Sequence, residues 1–126
     1  MDIKTNRLLI RKFEHKDLQA VYAYTSDIHV MKYIPEGVFT EEAAKEFINQ
    51  NMGDQAEKFP VILIDENIVI GHIFFAQYFG EHTYEIGWVF NPNYYNKGYA
   101  SEAAKAIIEF GFEKMKLHRI IATCQP

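Results

Sequence analysis

The chain is poor in the features that mark secreted, membrane or disulfide-stabilised proteins. Among its 126 residues is a single cysteine, Cys124, which cannot form a disulfide within the chain, so we expect a reducing compartment. No apolar run reaches the 18 or so residues that a transmembrane helix needs, and the first residues lack the apolar stretch of a signal peptide. These absences predict a cytoplasmic protein without a membrane partner.

Positive charge is also scarce. Lys and Arg total 13 against 17 Asp and Glu, so the formal net charge is −4, and the basic residues form no stripe, which argues against nucleic-acid binding. The length is that of one domain, and no repeat or linker interrupts it. We therefore expect a single domain over residues 1–126.

Short apolar segments alternate with turn signals and helical patterns in the order β-α-α-β-β-β-α-β. This order predicts an α+β fold with one mixed sheet flanked by helices. Its middle strands form two hairpins in series, and its last two strands run parallel around a helix. The predicted strands are Arg7–Phe13, Phe59–Ile64, Ile68–Phe79, Thr83–Phe90 and His118–Cys124, and the predicted helices are about Lys16–Thr25, Ile28–Tyr33, Thr40–Met52 and Gly98–Lys114.

The stretch NPNYYNKGYASEAAKAI, from Asn91 to Ile107, joins an apolar strand to an amphipathic helix. The predicted apolar face of that helix consists of Ala103, Ala104, Ile107, Ile108 and Phe112. The start of a helix offers unpaired N–H groups and the positive end of the helix dipole, and Gly98 allows a ligand to approach the backbone closely. A phosphate or diphosphate would fit there, on residues 97–101. A plain strand-to-helix turn explains the same residues equally well, because one glycine is a weak signal.

Other polar residues suggest chemistry less directly. Glu85, on the strand before this loop, is a candidate general base or amine-binding carboxylate, with an ordinary exposed strand glutamate as the alternative. His72, His82 and His118 lack metal-ligand spacing, so we expect no metal site. Cys124 has no visible activating partner and is interpreted as a small core residue.

The segment Tyr95-Asn96-Lys97-Gly98-Tyr99-Ala100 resembles motif A of the GNAT acetyltransferase superfamily, Gln/Arg-x-x-Gly-x-Gly/Ala. Tyr95 replaces the usual Gln or Arg, and Asn96 stands where a second glycine is common. An aromatic first position is similar to the branch of ribosomal-protein N-terminal acetyltransferases. Three further segments resemble that branch in the same order: TNRLLIRKFEHKDLQAVYAY, IVIGHIFF and YEIGWVFNP.

The resemblance implies the GNAT fold and an N-acetyltransferase that uses acetyl-coenzyme A (acetyl-CoA) as cosubstrate. The diphosphate would lie on residues 96–101, and the pantetheine arm would run along the backbone of residues 88–90, where an N–H group would polarise the thioester carbonyl. A primary amine, on a small molecule or at a protein N-terminus, would attack directly. Glu85 is then the catalytic candidate, and the cofactor-binding candidates are Trp88, Val89, Phe90, Tyr95, Asn96, Lys97, Gly98, Tyr99, Ala100 and Ser101.

The resemblance also implies a further helix and two strands after Pro126. We therefore expect an incomplete domain, either a fragment or a chain covered by a partner such as a second copy, with weak or no activity as a monomer. A non-catalytic acyl-CoA-binding module and a structural domain remain alternatives. The acceptor stays open among ribosomal-protein N-termini, polyamines, aminoglycosides and free amino acids, because acceptor pockets are built from variable loops.

Overall fold

The computed structural model describes residues 2–32, 34, 37–78 and 83–122. It contains one six-stranded sheet and three α-helices. The strands are β1 (Ile3–Lys4), β2 (Leu8–Ile10), β3 (Lys58–Leu63), β4 (Ile68–Gln77), β5 (Thr83–Phe90) and β6 (Arg119–Ala122), and the helices are α1 (Leu18–Thr25), α2 (Glu41–Gln50) and α3 (Tyr99–Glu113).

The strands lie in the sheet in chain order. Every neighbouring pair is antiparallel except β5 and β6, which run parallel on either side of α3 in the sequence. The expected α+β class, the two hairpins in series and the parallel last step are therefore confirmed. The two-residue strand β1 has no sequence signal of its own and forms because it pairs with β2.

Two local expectations were wrong. Residues 28–30 form turns, with one Met31 N–H bond to the Asp27 carbonyl, and not the short helix expected over Ile28–Tyr33. Phe112 is 43% exposed, although it was placed on the buried face of α3. That face follows an i, i+4 line through Ala103, Ile107 and Gly111, which leaves the next position facing outward.

The sheet separates two apolar cores. On one face α3 packs against the sheet through a cluster that includes Ile86, Phe90 and Ile107. On the other face α1 and α2 cover a second cluster that includes Tyr24 and Phe47. The successive side chains of β5 point to opposite faces, so this one strand contributes to both layers.

Two glycines permit close approach in this arrangement. A Cβ at Gly111 would lie 2.8 Å from Cδ1 of Ile120, so α3 sits tightly on the sheet. A Cβ at Gly71 would lie 2.6 Å from the carbonyl oxygen of Val89 and 2.9 Å from Cα of Phe90. A side chain at position 71 would therefore collide with the end of β5 that leads into the NPNYYNKGY loop.

In the described part of the chain no helix combines the length and apolar character that crossing a bilayer requires.

Candidate active site

The carboxyl-terminal half of β5 has a free edge within the described residues. The register of β5 with β6 runs only from Thr83–Arg119 to Ile86–Ala122, whereas β5 pairs with β4 as far as Phe90. The Tyr78 N–H bonds to the Thr83 carbonyl, and the Asn91 N–H bonds to the Ile70 carbonyl. Odd-numbered residues of β5 thus direct their backbone groups toward β4, so Trp88 and Phe90 present theirs on the opposite edge.

A cleft of about 490 Å³ opens beside this edge. We call it the loop cleft. One wall is β5 at residues 88–90, and another is the loop and first turn of α3; residues 29, 30 and 34 complete it. Its lining residues are His29, Val30, Ile34, Trp88, Val89, Phe90, Tyr94, Tyr95, Asn96, Gly98, Tyr99, Ala100 and Ser101.

The first turn of α3 gives the loop cleft an anion-attracting end. Gly98 is the N-cap of α3, with φ 79°, and no side chain caps the helix. The first amides of a helix have no intrahelical partner, so the N–H groups of Tyr99 and Ala100 are open to a ligand. The positive φ explains the glycine at position 98, and a Cβ there would meet only the Arg7 side chain, at 3.5 Å.

Arg7 holds this loop from the opposite end of the chain. Its Nη1 donates to the Lys97 carbonyl at 3.0 Å, and its Nε donates to Glu102 Oε1 at 2.6 Å. The guanidinium also lies 4.5 Å from the centre of the Tyr99 ring. One side chain therefore connects the loop, the first turn of α3 and the turn between β1 and β2.

Glu102 is the anchor of this arrangement. Its carboxylate accepts hydrogen bonds from the Thr5 hydroxyl, from the Arg7 backbone N–H and from the Arg7 side chain. Partial burial acts to raise the pKa of Glu102, but these hydrogen bonds and the Arg7 charge outweigh it and hold the pKa below its ordinary value. The carboxylate therefore stays ionised and keeps Arg7 in place.

A second cavity, of about 600 Å³, lies on the α1 and α2 face of the sheet. We call it the sheet pocket. It shares Ile34, Trp88 and Val89 with the loop cleft, so the two meet at β5. Its lining residues are Met31, Ile34, Val38, Phe39, Ala43, Glu46, Phe47, Gln50, Lys58, His72, Phe74, Glu85, Gly87, Trp88 and Val89.

The floor of the sheet pocket follows from strand register. Glu85, Gly87 and Val89 alternate on one face of β5, and Gly87 lies opposite Phe74 on β4. Because Gly87 has no side chain, space remains between Glu85 and Val89. Glu85 therefore borders the pocket as its position suggested, with its side chain on the face away from α3.

Tyr24 and His72 form a buried polar pair beneath this pocket. The Tyr24 hydroxyl and His72 Nδ1 are 2.8 Å apart, and the His72 ring lies 5.0 Å from that of Phe47. Burial first, and the charge of Lys58 second, lower the pKa of His72 from 6.5 to about 3. Burial also raises the pKa of Tyr24 well above its usual 10.0. Both side chains are neutral near pH 7.

The structure brings most of the sequence-predicted site residues together. Nine of the ten cofactor-binding candidates line the loop cleft; Lys97 does not, and its carbonyl is bound by Arg7. His82 and Cys124 lie outside the described residues. Among the described side chains, no group of three or more His, Cys, Asp or Glu is placed to share a metal ion.

Sequence patterns did not reveal Arg7, Glu102 or the Tyr24–His72 pair as parts of the site. The partners in these interactions are 95 and 48 positions apart in the chain. The TNRLLIRKF segment was visible as a resemblance, but nothing in it indicates which of its arginines reaches the loop. His72 was visible only as a histidine within a strand.

Comparison with known proteins agrees with this geometry. Residues 7–126 match the family model of the acetyltransferase (GNAT) domain. The chain is 77% identical over all 126 residues to YnaD of Bacillus subtilis (strain 168), an uncharacterized N-acetyltransferase, and spans 74% of that protein.

Solved structures give the same result. A GNAT-family acetyltransferase from Bacillus anthracis matches with a TM-score of 0.95 and 72% identity, over 100% of this chain and 75% of that one. The ribosomal-protein-S5-alanine acetyltransferase from Vibrio fischeri matches with a TM-score of 0.74 over 97% of this chain and 73% of that one, but at 21% identity this likeness shows the fold alone. By family model, sequence and fold, the chain belongs to the GNAT acetyltransferase family and is an N-acetyltransferase of that family.

Proposed function

We propose that the chain transfers the acetyl group of acetyl-CoA to a primary amine. The observation that carries this proposal is the meeting of two cavities at Trp88 and Val89. A reaction between two substrates needs both reacting atoms at one point, with each substrate held on its own side. The loop cleft would hold the acetyl donor and the sheet pocket the acceptor.

The residues of the loop cleft fit a diphosphate with a long polar arm. The open amides at the start of α3 suit the diphosphate, because their N–H groups and the helix dipole both favour negative charge. Gly98 lines the cleft without a side chain of its own, so its backbone can be approached closely. The outward backbone groups of Trp88 and Phe90 suit an amide-containing arm, which can pair with a strand edge as an added strand does.

The thioester supplies an activated acetyl group when it is bound. In the transfer, the nitrogen of the neutral amine bonds to the acetyl carbon, the carbon–sulfur bond breaks and the sulfur leaves as a thiolate. The backbone N–H of Trp88 or Phe90 would stabilise the negative charge that develops on the carbonyl oxygen. Glu85 would attract the acceptor ammonium and take up the proton that the nitrogen loses, directly or through water.

The sheet pocket is open enough to admit an amine on a small molecule or at a protein N-terminus. The cytoplasmic location, the possible homodimer, the absence of a nucleic-acid partner and the weak activity of the isolated chain stay predictions.

Calorimetry with acetyl-CoA, followed by a thiol-release assay over a panel of amines, tests the proposal. We expect saturable binding and transfer. We expect Glu85→Gln to lower kcat/KM roughly 10²- to 10⁴-fold, as loss of a positioned acid–base group does, with unchanged binding of acetyl-CoA. Glu113→Gln, at the far end of α3, is the control.

Absence of any binding heat would overturn the proposal. Binding without transfer to any amine would favour the alternative of a non-catalytic acyl-CoA-binding module.

A further inference from the structure

The hydrogen bond between Tyr24 and His72 has a defined donor and acceptor. Tyr24 is fully buried, and its hydroxyl has one hydrogen-bond partner, His72 Nδ1. The phenol keeps its proton because burial raises its pKa. A buried O–H without an acceptor is costly, so the hydroxyl donates to Nδ1. Neutral His72 then carries its proton on Nε2.

Nε2 of His72 faces the sheet pocket. Every buried side-chain nitrogen or oxygen in the described part of the chain has a hydrogen-bond partner, and the hydrogen bond of His72 uses Nδ1. Nε2 therefore retains accessible surface, although His72 as a whole is only 6% exposed. Because His72 lines the sheet pocket, that surface is part of the pocket wall.

The surroundings of Nε2 favour an oxygen atom as its partner. Lys58 lines the same wall, close enough for its charge to act on His72, and its ammonium lies 5.3 Å from the centre of the Phe74 ring. A donor N–H beside a positive charge attracts a carbonyl, carboxylate or hydroxyl oxygen. The carboxylate of Glu85, on β5, would instead attract the ammonium form of an amine.

The rest of the pocket is mainly apolar, with Gln50 as a further polar residue. Besides Glu46, Lys58 and Glu85, most of its lining is aliphatic or aromatic, which suits a ligand with an apolar body. Two carboxylates and one ammonium do not match a chain of several cationic amines. The apolar lining residues are Met31, Ile34, Val38, Phe39, Ala43, Phe47, Phe74, Trp88 and Val89.

We propose that His72 is an acceptor-binding residue whose Nε2–H donates a hydrogen bond to an oxygen of the substrate. The acceptor class is a primary amine on an apolar body that also carries a hydrogen-bond-accepting oxygen. This inference rests on the proposed function, because it assigns the sheet pocket to the acceptor. Tyr24 is the positioning residue that fixes the tautomer of His72.

Two substitutions of His72 separate binding from structure. In His72→Asn the amide stands where Nδ1 stood, so it can still accept from Tyr24 but offers no donor to the pocket. In His72→Gln the amide reaches the position of Nε2, so the donor returns and the Tyr24 hydroxyl loses its partner. We expect His72→Asn to be the more stable variant and His72→Gln the more active one.

The acceptors for this test are phenylalaninamide with 2-phenylethylamine, and tryptophanamide with tryptamine, since each pair differs by a carboxamide. For the amides, we expect His72→Asn to lower kcat/KM roughly 3- to 10-fold, the worth of one neutral hydrogen bond, mainly through KM. For the amines without oxygen we expect little change. His72→Gln should recover most of the loss.

Two kinetic outcomes overturn the inference. One is that His72→Gln, the less stable variant, is also less active than His72→Asn, so that activity depends on stability alone. The other is a wild-type enzyme that accepts neither amide better than its partner amine, or that loses activity equally for both members of a pair. Unchanged acetyl-CoA binding in both variants shows that the donor side is intact, so this failure is distinct from failure of the proposed function.

A spectroscopic measurement tests the tautomer without an acceptor. In two-bond ¹H–¹⁵N correlation spectra, protonated and unprotonated ring nitrogens have well-separated shifts. We expect Nε2–H for His72 at pH 7, with Tyr24→Phe shifting the pattern. A proton on Nδ1 in the wild-type protein would contradict the proposal.

Discussion

At the scale of single residues, Arg7 fixes the loop before α3 from a distant point in the chain. Its guanidinium has three separate contacts, with the Lys97 carbonyl, the Glu102 carboxylate and the Tyr99 ring. A lysine ammonium is a point charge without the planar fork, so it cannot keep all three. Charge and shape can therefore be tested separately at this position.

We predict that Arg7→Lys weakens acetyl-CoA binding about 5- to 20-fold although the net charge is unchanged, because one or two hydrogen bonds to charged groups are lost. Calorimetry at fixed ionic strength measures the effect. Arg119→Lys, at the exposed start of β6, is the control. Equal affinity in wild type and Arg7→Lys would show that the loop needs only a positive charge.

At the residue level, the sequence indicated candidate site residues only where the signal was local. Gly98 and its neighbours were identified because a strand, a glycine and a helix start follow each other directly in the chain. Arg7 with Glu102, and Tyr24 with His72, meet only through the packing of the sheet and its helices. No spacing rule within one segment can report such pairs.

At the scale of elements, β5 borders both cavities, and Gly71 on β4 lies close against its last residues. The neighbouring backbone would lie 2.6 Å from a Cβ there, and backbone atoms cannot rotate away as a side-chain end can. We predict that Gly71→Ala destabilises the fold by about 2–3 kcal/mol, as overpacking of a tight site does, and weakens acetyl-CoA binding by displacing residues 89 and 90.

Urea denaturation measures this effect. Gly53→Ala is the matched control, since nothing lies within 4 Å of a Cβ at that position, and it should change stability by no more than about 0.5 kcal/mol. Similar unfolding midpoints for the two variants would mean that β4 and β5 can move apart to accommodate the added Cβ without loss of stability.

Elements with strong periodicity were predicted almost to their ends, as α3 shows: Gly98–Lys114 was expected, and Tyr99–Glu113 is found, with Gly98 and Lys114 as its caps. The segment after α1 was misassigned because Ile28, Val30 and Met31 suggest a helix. Within the described residues its chain turns instead, and the Phe39 N–H bonds to the Thr25 carbonyl. Tertiary contacts decided that segment, and local propensity did not.

At the scale of the whole molecule, burying His72 between α1, α2 and the sheet ties stability to pH. Its pKa is about 3 in the native state against 6.5 ordinarily. Between these two pH values His72 is therefore protonated in the unfolded chain and neutral in the native chain. The stabilisation is complete above pH 6.5 and is lost as the pH falls toward 3, by about 1.4 kcal/mol per unit. The charged groups around the pocket are Lys58, Glu46 and Glu85.

We predict that between pH 7 and pH 5 the wild-type protein loses about 2 kcal/mol from this group. The asparagine side chain of His72→Asn does not titrate, so the stability that this variant loses over the same range should be smaller by about 2 kcal/mol. Urea unfolding at both pH values measures the difference. Equal losses of stability in the two proteins would mean that the pKa of His72 does not differ between the native and the unfolded state.

The separation of the two cavities by β5 has a consequence for how such an enzyme diversifies. The sheet pocket, which we assign to the acceptor, is lined mainly by α2, β5 and residues 31, 34, 38 and 39, with smaller contributions from β3 and β4. The loop cleft, which we assign to the donor, is lined mainly by β5, the loop and the start of α3, and the two share only Ile34, Trp88 and Val89. On that assignment, substitutions in α2 and β4 would change the acceptor pocket and leave the lining of the loop cleft unaltered, because neither element lines the cleft. A mutant library confined to those two elements is the natural starting point for redirecting its chemistry.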